Sequence, residues 1–144
     1  MKRILLAMMV GFLGLACGGR SDAEIPQKES RQMKDYVEVI YFHGKQRCVT
    51  CKAIEKNTKE LLETKFAEQM KDGRVVMTIV DFSQKENEKI AEKYQVTWSS
   101  LFVVQHKNGK EKAENMTEFA FGNARVAPDK FKTGVEAKIN QMLK

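Results

Sequence analysis

Runs of apolar and β-branched residues mark three predicted strands in this chain. Residues 37–42 (Val-Glu-Val-Ile-Tyr-Phe) are apolar at nearly every position, which is typical of a strand buried on both faces. Residues 75–81 and 101–106 have the same character. These runs are too short to be helices that are buried on all sides, so strands are the better interpretation.

Helical spacing characterises the segments between and after these strands. From Thr50 to Met70 the apolar residues recur about once per helical turn, with Thr58 filling a gap in the stripe, and a Lys-Asp-Gly stop follows at 71–73. Residues 87–94 form a shorter helix by the same criterion. A last helix opens at Pro128 and carries Phe131, Val135, Ile139 and Met142 on one face.

The segment 107–110 (Lys-Asn-Gly-Lys) is a strong hairpin signal after the third strand. The chain is therefore expected to return toward Thr117 and Phe119 as an antiparallel fourth strand. The predicted order is β-α-β-α-β-β-α, an α/β fold in which a central mixed sheet is flanked by helices. Its first two strands run parallel because a helix connects them.

The first 17 residues have the three-part pattern of an export signal. A short basic start is followed by an apolar run at 4–15, which is too short to span a membrane, and then by small residues around Cys17. Cys17 resembles the lipidated cysteine of a bacterial lipoprotein, although Gly14 stands where such sites usually carry leucine. Ordinary cleavage after Ala23 is the competing interpretation. The pattern predicts an exported, periplasmic protein anchored to a membrane by a lipid at Cys17.

Length and charge limit the remaining classes. A chain of 144 residues is long enough for one domain with its own core. Residues 18–34 are polar and lack an apolar period, so they are predicted to be a flexible tether ahead of a folded domain at 35–144. Losing Lys2 and Arg3 with the signal lowers the net charge of +6 by two. The remaining charge is too weak and too scattered to indicate nucleic-acid binding.

Cys48 and Cys51 stand three positions apart where the first strand has ended and the first helix begins. They lie on one side of the first helical turn, and Cys48 faces its N–H groups and the positive end of the helix dipole. Lys45, Arg47 and Lys52 add positive charge nearby, which favours the reactive thiolate of Cys48. In an exported compartment such a pair is either a local disulfide or a working dithiol.

This arrangement resembles the thioredoxin superfamily over residues 35–144. The resemblance rests on the C-x-x-C motif at the helix start, on Val-Asp at 80–81 after the second strand and on Tyr-Gln-Val at 94–96 before the third. It implies a thioredoxin-like fold in which Cys48 attacks a substrate disulfide and Cys51 resolves the mixed disulfide.

Three departures from the family pattern bear on specificity. The family's loop opposite the dithiol carries a proline, whereas here the nearest match is Ser100. The family's buried carboxylate near the end of the first strand is replaced by Tyr-Phe-His at 41–43, and the residues between the cysteines are Val49 and Thr50 instead of Gly-Pro. These departures point to a dedicated partner or a thiophilic ligand rather than to disulfides in general.

A longer set of matches, at residues 41–48, 98–103 and 116–119, resembles a narrower group. They are similar to small exported thioredoxin-fold proteins of Bacteroides-type bacteria that are labelled nitrophenyl-compound nitroreductase subunits and encoded with arsenic-resistance genes. The resemblance implies a redox partner in arsenic resistance. The chain shows no flavin or nicotinamide motif, so no cofactor is expected and reduction of nitro groups by this chain alone is not expected.

Five further residues are weighed for roles beside the dithiol or away from it. His43 is a candidate proton acceptor or soft-metal ligand, or else a residue packed beneath the loop. Trp98 is either a wall beside the dithiol or a core residue. Ser99 and Ser100 are candidates to hydrogen-bond a substrate chain. His106, beside the hairpin turn, is expected to be exposed.

The predicted function is an exported thiol-disulfide oxidoreductase that passes electrons to a dedicated partner through a mixed disulfide at Cys48. The alternative is a binding module for a thiophilic metal or arsenite, with Cys48 and Cys51 as two ligands. Redox exchange is favoured because closed zinc sites usually take four ligands. The segment 115–125, which departs from ordinary thioredoxin, is either a partner-binding lip or a structural connection.

Overall fold

The computed structural model of the protein describes residues 35–144. The predicted signal at 1–17, the lipidation at Cys17 and the tether at 18–34 lie outside the described residues. Across residues 35–144, no helix has both the length and the apolar character needed to cross a membrane.

The described chain alternates strands and helices in the predicted order, with two helices more than the pattern anticipated. The elements are β1 (Tyr36–His43), α1 (Val49–Lys65), α2 (Ala67–Lys71), β2 (Val75–Asp81), α3 (Glu88–Lys93), β3 (Ser100–Lys107), β4 (Lys110–Asn115), α4 (Thr117–Asn123) and α5 (Pro128–Met142). A 3₁₀ turn, Lys85–Asn87, leads into α3.

The four strands form one mixed sheet in the order β2-β1-β3-β4. β1 runs parallel to β2 and antiparallel to β3, and β3 runs antiparallel to β4. Phe42, near the end of β1, therefore lies between Val80 on one side and Ser100 on the other. This strand order, with its flanking helices, is a thioredoxin-like fold, and the fold prediction is confirmed.

One face of the sheet carries the larger core. Val37, Val39 and Tyr41 of β1 point into it and are almost completely buried. The helix α5 adds the four residues expected on its apolar face, Phe131, Val135, Ile139 and Met142, all of them buried. Burying a large apolar side chain is worth about 1.5 to 3 kcal/mol. The helix α1 packs on this same core. Because the cysteine pair stands at the start of α1, this packing holds the pair in place at the end of the sheet.

Two polar residues of α1 are buried in the same core, and both have partners. Thr58 fills the gap in the apolar stripe, as predicted, and its hydroxyl donates to the Ile54 carbonyl at 2.7 Å. The Asn57 amide donates to the Ala124 carbonyl, also at 2.7 Å. The second bond joins α1 to the end of α4, so the two helices keep one relative position.

The other face of the sheet carries a smaller core under α3, made of Ile40, Phe42, Val80, Phe102 and Val104. It does not extend to the start of β1. There the His106 ring stacks on Tyr36 with centroids 4.2 Å apart, and His106 Nε2 lies 3.0 Å from Glu38 Oε2. The expected exposure of His106 is wrong, because pairing of β1 with β3 sets this residue opposite Tyr36 and the two rings stack.

The hairpin between β3 and β4 has the predicted turn. Asn108 and Gly109 both have positive φ, at 53° and 72°. Residues without a bulky or branched side chain tolerate that conformation, and its twist suits two adjacent antiparallel strands.

The single helix predicted to extend as far as Met70 is interrupted at Phe66. This residue leaves the helical conformation, with φ −124° and ψ 18°, and the chain restarts as α2. Phe66 is 2% exposed, whereas Met70 is 36% exposed. The interruption therefore lets Phe66 enter the core while α2 turns outward, and the prediction of one continuous helix is wrong.

The fourth strand is shorter than predicted, since Thr117 and Phe119 belong to α4. The Thr117 N–H donates to the Asn115 side chain at 2.9 Å, and the Thr117 hydroxyl accepts from the Leu101 N–H at 3.1 Å. These bonds turn the chain back over the sheet. The Phe119 ring then lies against Gly134 of α5, where a Cβ atom would overlap it.

Candidate redox site

The cysteine pair lies at the junction of β1 and α1. Cys48 is the N-cap residue of α1, with extended backbone angles, and its sulfur accepts a hydrogen bond from the Cys51 N–H at 3.0 Å. The first turn of α1 contains no acidic residue. The positive end of the helix dipole is therefore directed at the Cys48 sulfur without a carboxylate in that turn to oppose it.

Cys48 and Cys51 form a disulfide, with their Cα atoms 5.0 Å apart. The two residues differ in accessibility. Cys48 is exposed at the surface, whereas Cys51 is buried, with 6% of its surface exposed. An external disulfide or thiol can therefore reach Cys48 far more readily than Cys51.

Tyr41 supports the pair from below. It is fully buried, and its hydroxyl donates to the Cys51 carbonyl at 2.8 Å. Burial raises the pKa of Tyr41, and the nearby Arg47 and Ser99 side chains offset this only in part. The hydroxyl consequently stays protonated at neutral pH and continues to donate to the backbone of Cys51.

Arg47, in the loop between β1 and α1, directs its guanidinium back onto the helix. Its Nη2 donates a hydrogen bond to Glu55 Oε2, and the guanidinium carbon lies 5.9 Å from the centre of the Tyr41 ring. The contact seen here is thus an ion pair with Glu55. The expected action of Arg47 on Cys48 stays a prediction.

Glu55 compensates two cations. Lys59 Nζ donates to Glu55 Oε1 at 2.5 Å, whereas Arg47 donates to the other carboxylate oxygen, Oε2. Burial raises the pKa of Glu55, but the hydrogen bonds from Lys59 and Arg47 outweigh it and hold the pKa below its ordinary value. The carboxylate is therefore charged at neutral pH and anchors the loop that precedes Cys48.

His43 is the last residue of β1 and is half-buried. Its Nδ1 lies 3.0 Å from the Gly44 carbonyl, and its ring centre lies 6.2 Å from that of Tyr41. These contacts agree with the packing alternative. A role for His43 in taking a proton from Cys51 stays a prediction.

Trp98 projects from the loop before β3. It is 55% exposed, so the core alternative is wrong, and its ring stacks on Phe121 of α4 with centroids 5.3 Å apart. The neighbouring Ser99 side chain lies near the Tyr41 hydroxyl, which itself contacts Cys51. Trp98 and Phe121 therefore form an aromatic pair at the surface, and the position of Trp98 beside the dithiol stays a prediction.

Ser100, the nearest match to the family's proline, begins β3. It is buried, its backbone pairs with Phe42, and its hydroxyl donates to the Trp98 carbonyl at 2.9 Å. The hydroxyl is thus engaged within its own loop. Binding of a substrate chain by Ser99 and Ser100 stays a prediction.

Three residues of this site were not singled out from the sequence. Tyr41 could have been recognised because a tyrosine hydroxyl usually finds a partner when it is buried. Glu55 gives no such signal, since it stands among alternating charges on a helix. Phe121 was noted only as part of the segment 115–125, and its contact with Trp98 depends on the unpredicted helix α4.

Within residues 35–144, no three or more His, Cys, Asp and Glu side chains are grouped so that they could hold a metal ion. The two cysteines have bonded with each other instead. The thioredoxin-like fold and the cysteine pair at the start of α1 together fit a thiol-disulfide oxidoreductase.

Comparisons with known proteins give no closer assignment. No family model and no curated protein matches the chain. A solved structure described as that of a malarial protein is 20% identical, with a TM-score of 0.47 over 76% of this chain and 99% of that one. The solution structure of a thioredoxin from Thermus thermophilus is 15% identical, with a TM-score of 0.46 over 74% of this chain and 72% of that one. The fold assignment rests on the strand order and pairing described above.

Proposed function

We propose that this protein is an exported thiol-disulfide oxidoreductase that exchanges electrons with a dedicated partner through a mixed disulfide at Cys48. The observation that carries the proposal is the asymmetry of the pair: Cys48 is exposed at a helix N-terminus, whereas Cys51 is buried one turn further along. Attack and resolution require thiols that differ in this way.

In the reducing direction, the Cys48 thiolate attacks one sulfur of the partner's disulfide. A Cys48–partner disulfide forms, the partner's own S–S bond breaks, and the released partner thiolate takes a proton from water. Cys51 then loses its proton to solvent and attacks the Cys48 sulfur, which forms the intramolecular disulfide and releases the second partner sulfur as a thiolate that takes a proton from water. The partner gains two electrons, the cysteine pair loses two, and a dithiol partner reverses the reaction.

The N-terminal end of α1 supports Cys48 as the attacking residue. Its sulfur already accepts the Cys51 N–H bond, and an anionic sulfur accepts such a bond more strongly than a neutral one. The helix dipole acts in the same direction. Because Glu55 compensates Arg47 and Lys59, the proposed thiolate depends more on the helix than on these side chains.

The surroundings of the pair support a specific partner. Val49, between the cysteines, is 71% exposed, and Trp98 is 55% exposed beside Phe121. Such a surface favours an apolar protein segment over a small polar disulfide. The resemblance to proteins encoded with arsenic-resistance genes makes a redox enzyme of that pathway the candidate partner, and the proposed lipid anchor at Cys17 would hold the protein at a periplasmic membrane surface.

Mixed-disulfide trapping tests the proposal. The full chain carrying Cys51→Ser, expressed in the periplasm, is expected to accumulate a covalent complex that a reducing agent dissolves, because the resolving thiol is missing. Cys48→Ser is the matched control and is expected to trap nothing. If both variants trap equally, or neither does, the assigned roles are wrong.

The binding alternative makes an opposite prediction for the same protein. Titration calorimetry of the reduced chain with arsenite, compared with insulin reduction by the same sample, separates the two. Disulfide exchange without tight arsenite binding supports the redox proposal. Tight arsenite binding without exchange would replace it with a thiophilic binding module that uses Cys48 and Cys51.

A further inference from the structure

The two edges of the sheet have different chemistry. β4 forms one edge, and its sequence alternates charges, with Lys110, Glu111, Lys112 and Glu114 in a six-residue strand. Charged residues along an edge discourage pairing with another strand, because they would have to be desolvated or would meet like charges. This edge is therefore protected against association.

The opposite edge, β2, has no such protection. Residues 75–80 read Val-Val-Met-Thr-Ile-Val and contain no charge, glycine or proline. Val76 is 37% exposed and Ile79 is 39% exposed, on opposite faces of the strand. An uncharged, regular and partly exposed edge strand is a template for another strand.

The backbone of β2 is available on its outer side. Val37 N–H donates to the Arg74 carbonyl, and Phe82 N–H donates to the His43 carbonyl, so the even-numbered positions face β1. The peptide groups of Val75, Met77 and Ile79 consequently face away from β1. Among the described residues, no strand pairs with β2 on that side.

A second copy of the same strand fits this edge. In an antiparallel pair related by a two-fold axis, the uncharged residues 75–80 of one copy lie along the same uncharged residues of the other. The charge of Arg74, just before β2, is compensated by Asp72 of the same chain and so does not oppose this pairing.

The segment before the domain fits the edge less well. Residues 18–34 contain four basic and three acidic side chains as well as Pro26, and they lack the apolar alternation needed to cover both Val76 and Ile79. A second copy of β2 therefore suits this edge better than residues 18–34 do.

We infer that the protein forms a two-fold dimer in which β2 pairs antiparallel with β2 of a second copy, joining the two sheets into one. His43, at the end of β1, lies opposite Asp81 at the end of β2, so each cysteine pair is beside the C-terminal end of β2. The two-fold axis directs these ends away from each other. Both Cys48 residues therefore stay accessible in the dimer.

Sedimentation equilibrium of the full chain, with Ile79→Lys and Val126→Lys, tests the inference. Val126 is 71% exposed and belongs to the connection between α4 and α5, so its variant makes the same chemical change outside β2. The wild type and Val126→Lys are expected to form dimers, and Ile79→Lys is expected to raise the dimer dissociation constant at least about tenfold. Val76→Lys, on the other face of the strand, is the second edge variant should Ile79→Lys fail to fold.

Hydrogen exchange of individual amides identifies the paired surface. The amides of Val75, Met77 and Ile79 are expected to be protected in the wild-type dimer and to exchange faster in the edge variants. A monomeric wild type would overturn the inference, and protected amides in that monomer would assign the edge to another segment of the chain. A dimer that survives both edge substitutions would also overturn it, because its interface would lie elsewhere.

Discussion

Two partly buried polar networks lie at opposite ends of the sheet and on opposite faces of it. The dithiol-end network consists of Tyr41, Arg47, Glu55, Lys59 and Ser99. The far-end network consists of Tyr36, Glu38, Thr78, Lys93, Tyr94, His106 and Glu111. Each contains a tyrosine hydroxyl, a carboxylate and a cation, yet they differ in what they hold.

The dithiol-end network ends on the main chain of a reactive residue, since the Tyr41 hydroxyl donates to the Cys51 carbonyl. The far-end network closes among side chains, with the Tyr94 hydroxyl and Lys93 both donating to Glu111. The helix α3 has six residues and is too short to cover the start of β1, where these polar groups replace an apolar cover. Similar side chains thus fix a reactive group at one end and complete the fold at the other.

The largest expected difference is between the two carboxylates. Glu55→Gln places an amide nitrogen against a cationic donor, and it leaves Arg47, whose side chain is 26% exposed, without its counter-charge. The expected loss is about 1.5 to 3 kcal/mol of unfolding free energy. Glu38→Gln can still accept from Thr78 and donate to His106, so its expected loss is about 0.5 kcal/mol or less. Urea denaturation of both variants measures the difference in unfolding free energy. Equal losses would mean that the two carboxylates contribute equally to stability.

The contribution of Glu55 to stability should also depend on pH. Burial raises the pKa of Glu55, but hydrogen bonds from Lys59 and Arg47 bring it below its ordinary value. A lowered pKa in the folded state gives stability that is complete above the pKa of the unfolded chain, about 4.3, and is lost as the pH falls through the folded value. The stability curves of wild type and Glu55→Gln should therefore converge as the pH falls below about 4.3. Curves that stay parallel would mean that Glu55 does not titrate as described.

The two tyrosine hydroxyls give the next contrast. Tyr41→Phe and Tyr94→Phe each remove one hydrogen bond, which is worth about 1 kcal/mol. Only Tyr41 contacts the backbone of a cysteine, so Tyr41→Phe should leave Cys51 less well positioned to attack Cys48. The expected result is a mixed disulfide that lives roughly tenfold longer, because small displacements of reacting groups are costly.

Quenched-flow measurement of the mixed disulfide with a labelled peptide follows this step directly. Tyr94→Phe is the matched control and should resolve the intermediate at the wild-type rate. A similar slowing in both variants would indicate general loosening of the fold. Unchanged rates in both would mean that Tyr41 stabilises the domain without positioning Cys51.

The fold could be predicted where periodicity and burial agree. β2 was predicted with its observed bounds, and the four buried residues of α5 were predicted because no tertiary contact overrides their period. The interruption at Phe66 was missed because Phe66 and Met70 continue the apolar stripe of α1. The helix α4 was missed because β-branched and aromatic residues after a strand suit a longer strand, and the bonds of Thr117 that turn the chain are tertiary.

Some features of the candidate site could likewise be predicted from local sequence, and others could not. The position of Cys48 and Cys51 at the start of a helix followed from local sequence, and their unequal exposure follows from how that helix packs. The pairing of Arg47 with Glu55 could not be predicted, because it depends on how the loop folds back over the first turns of α1. His106 was assigned to the surface because its pairing with Tyr36 depends on how β1 and β3 align in the sheet, which the local sequence does not show.

The smallest expected effect concerns the aromatic residues nearest the surface. Trp98, in the loop before β3, stacks on Phe121, and Tyr36, at the start of β1, stacks on His106. Replacing either by alanine removes one ring contact, worth about 0.5 to 1.5 kcal/mol. If Trp98 is a docking surface, Trp98→Ala should raise the KM for a protein disulfide about threefold, a loss of less than 1 kcal/mol. Tyr36→Ala should leave this KM unchanged.

A small disulfide separates docking from chemistry in these variants. Oxidised glutathione is small enough to react at Cys48 without contacting Trp98. Its exchange rate should therefore be the same in wild type and Trp98→Ala. A rate that falls equally for glutathione and for the protein substrate would instead place the effect at the dithiol, through Ser99 and the Tyr41 hydroxyl. The comparison therefore decides whether the loop before β3 binds the partner or supports the cysteines, which is the same distinction that separates the two ends of the sheet.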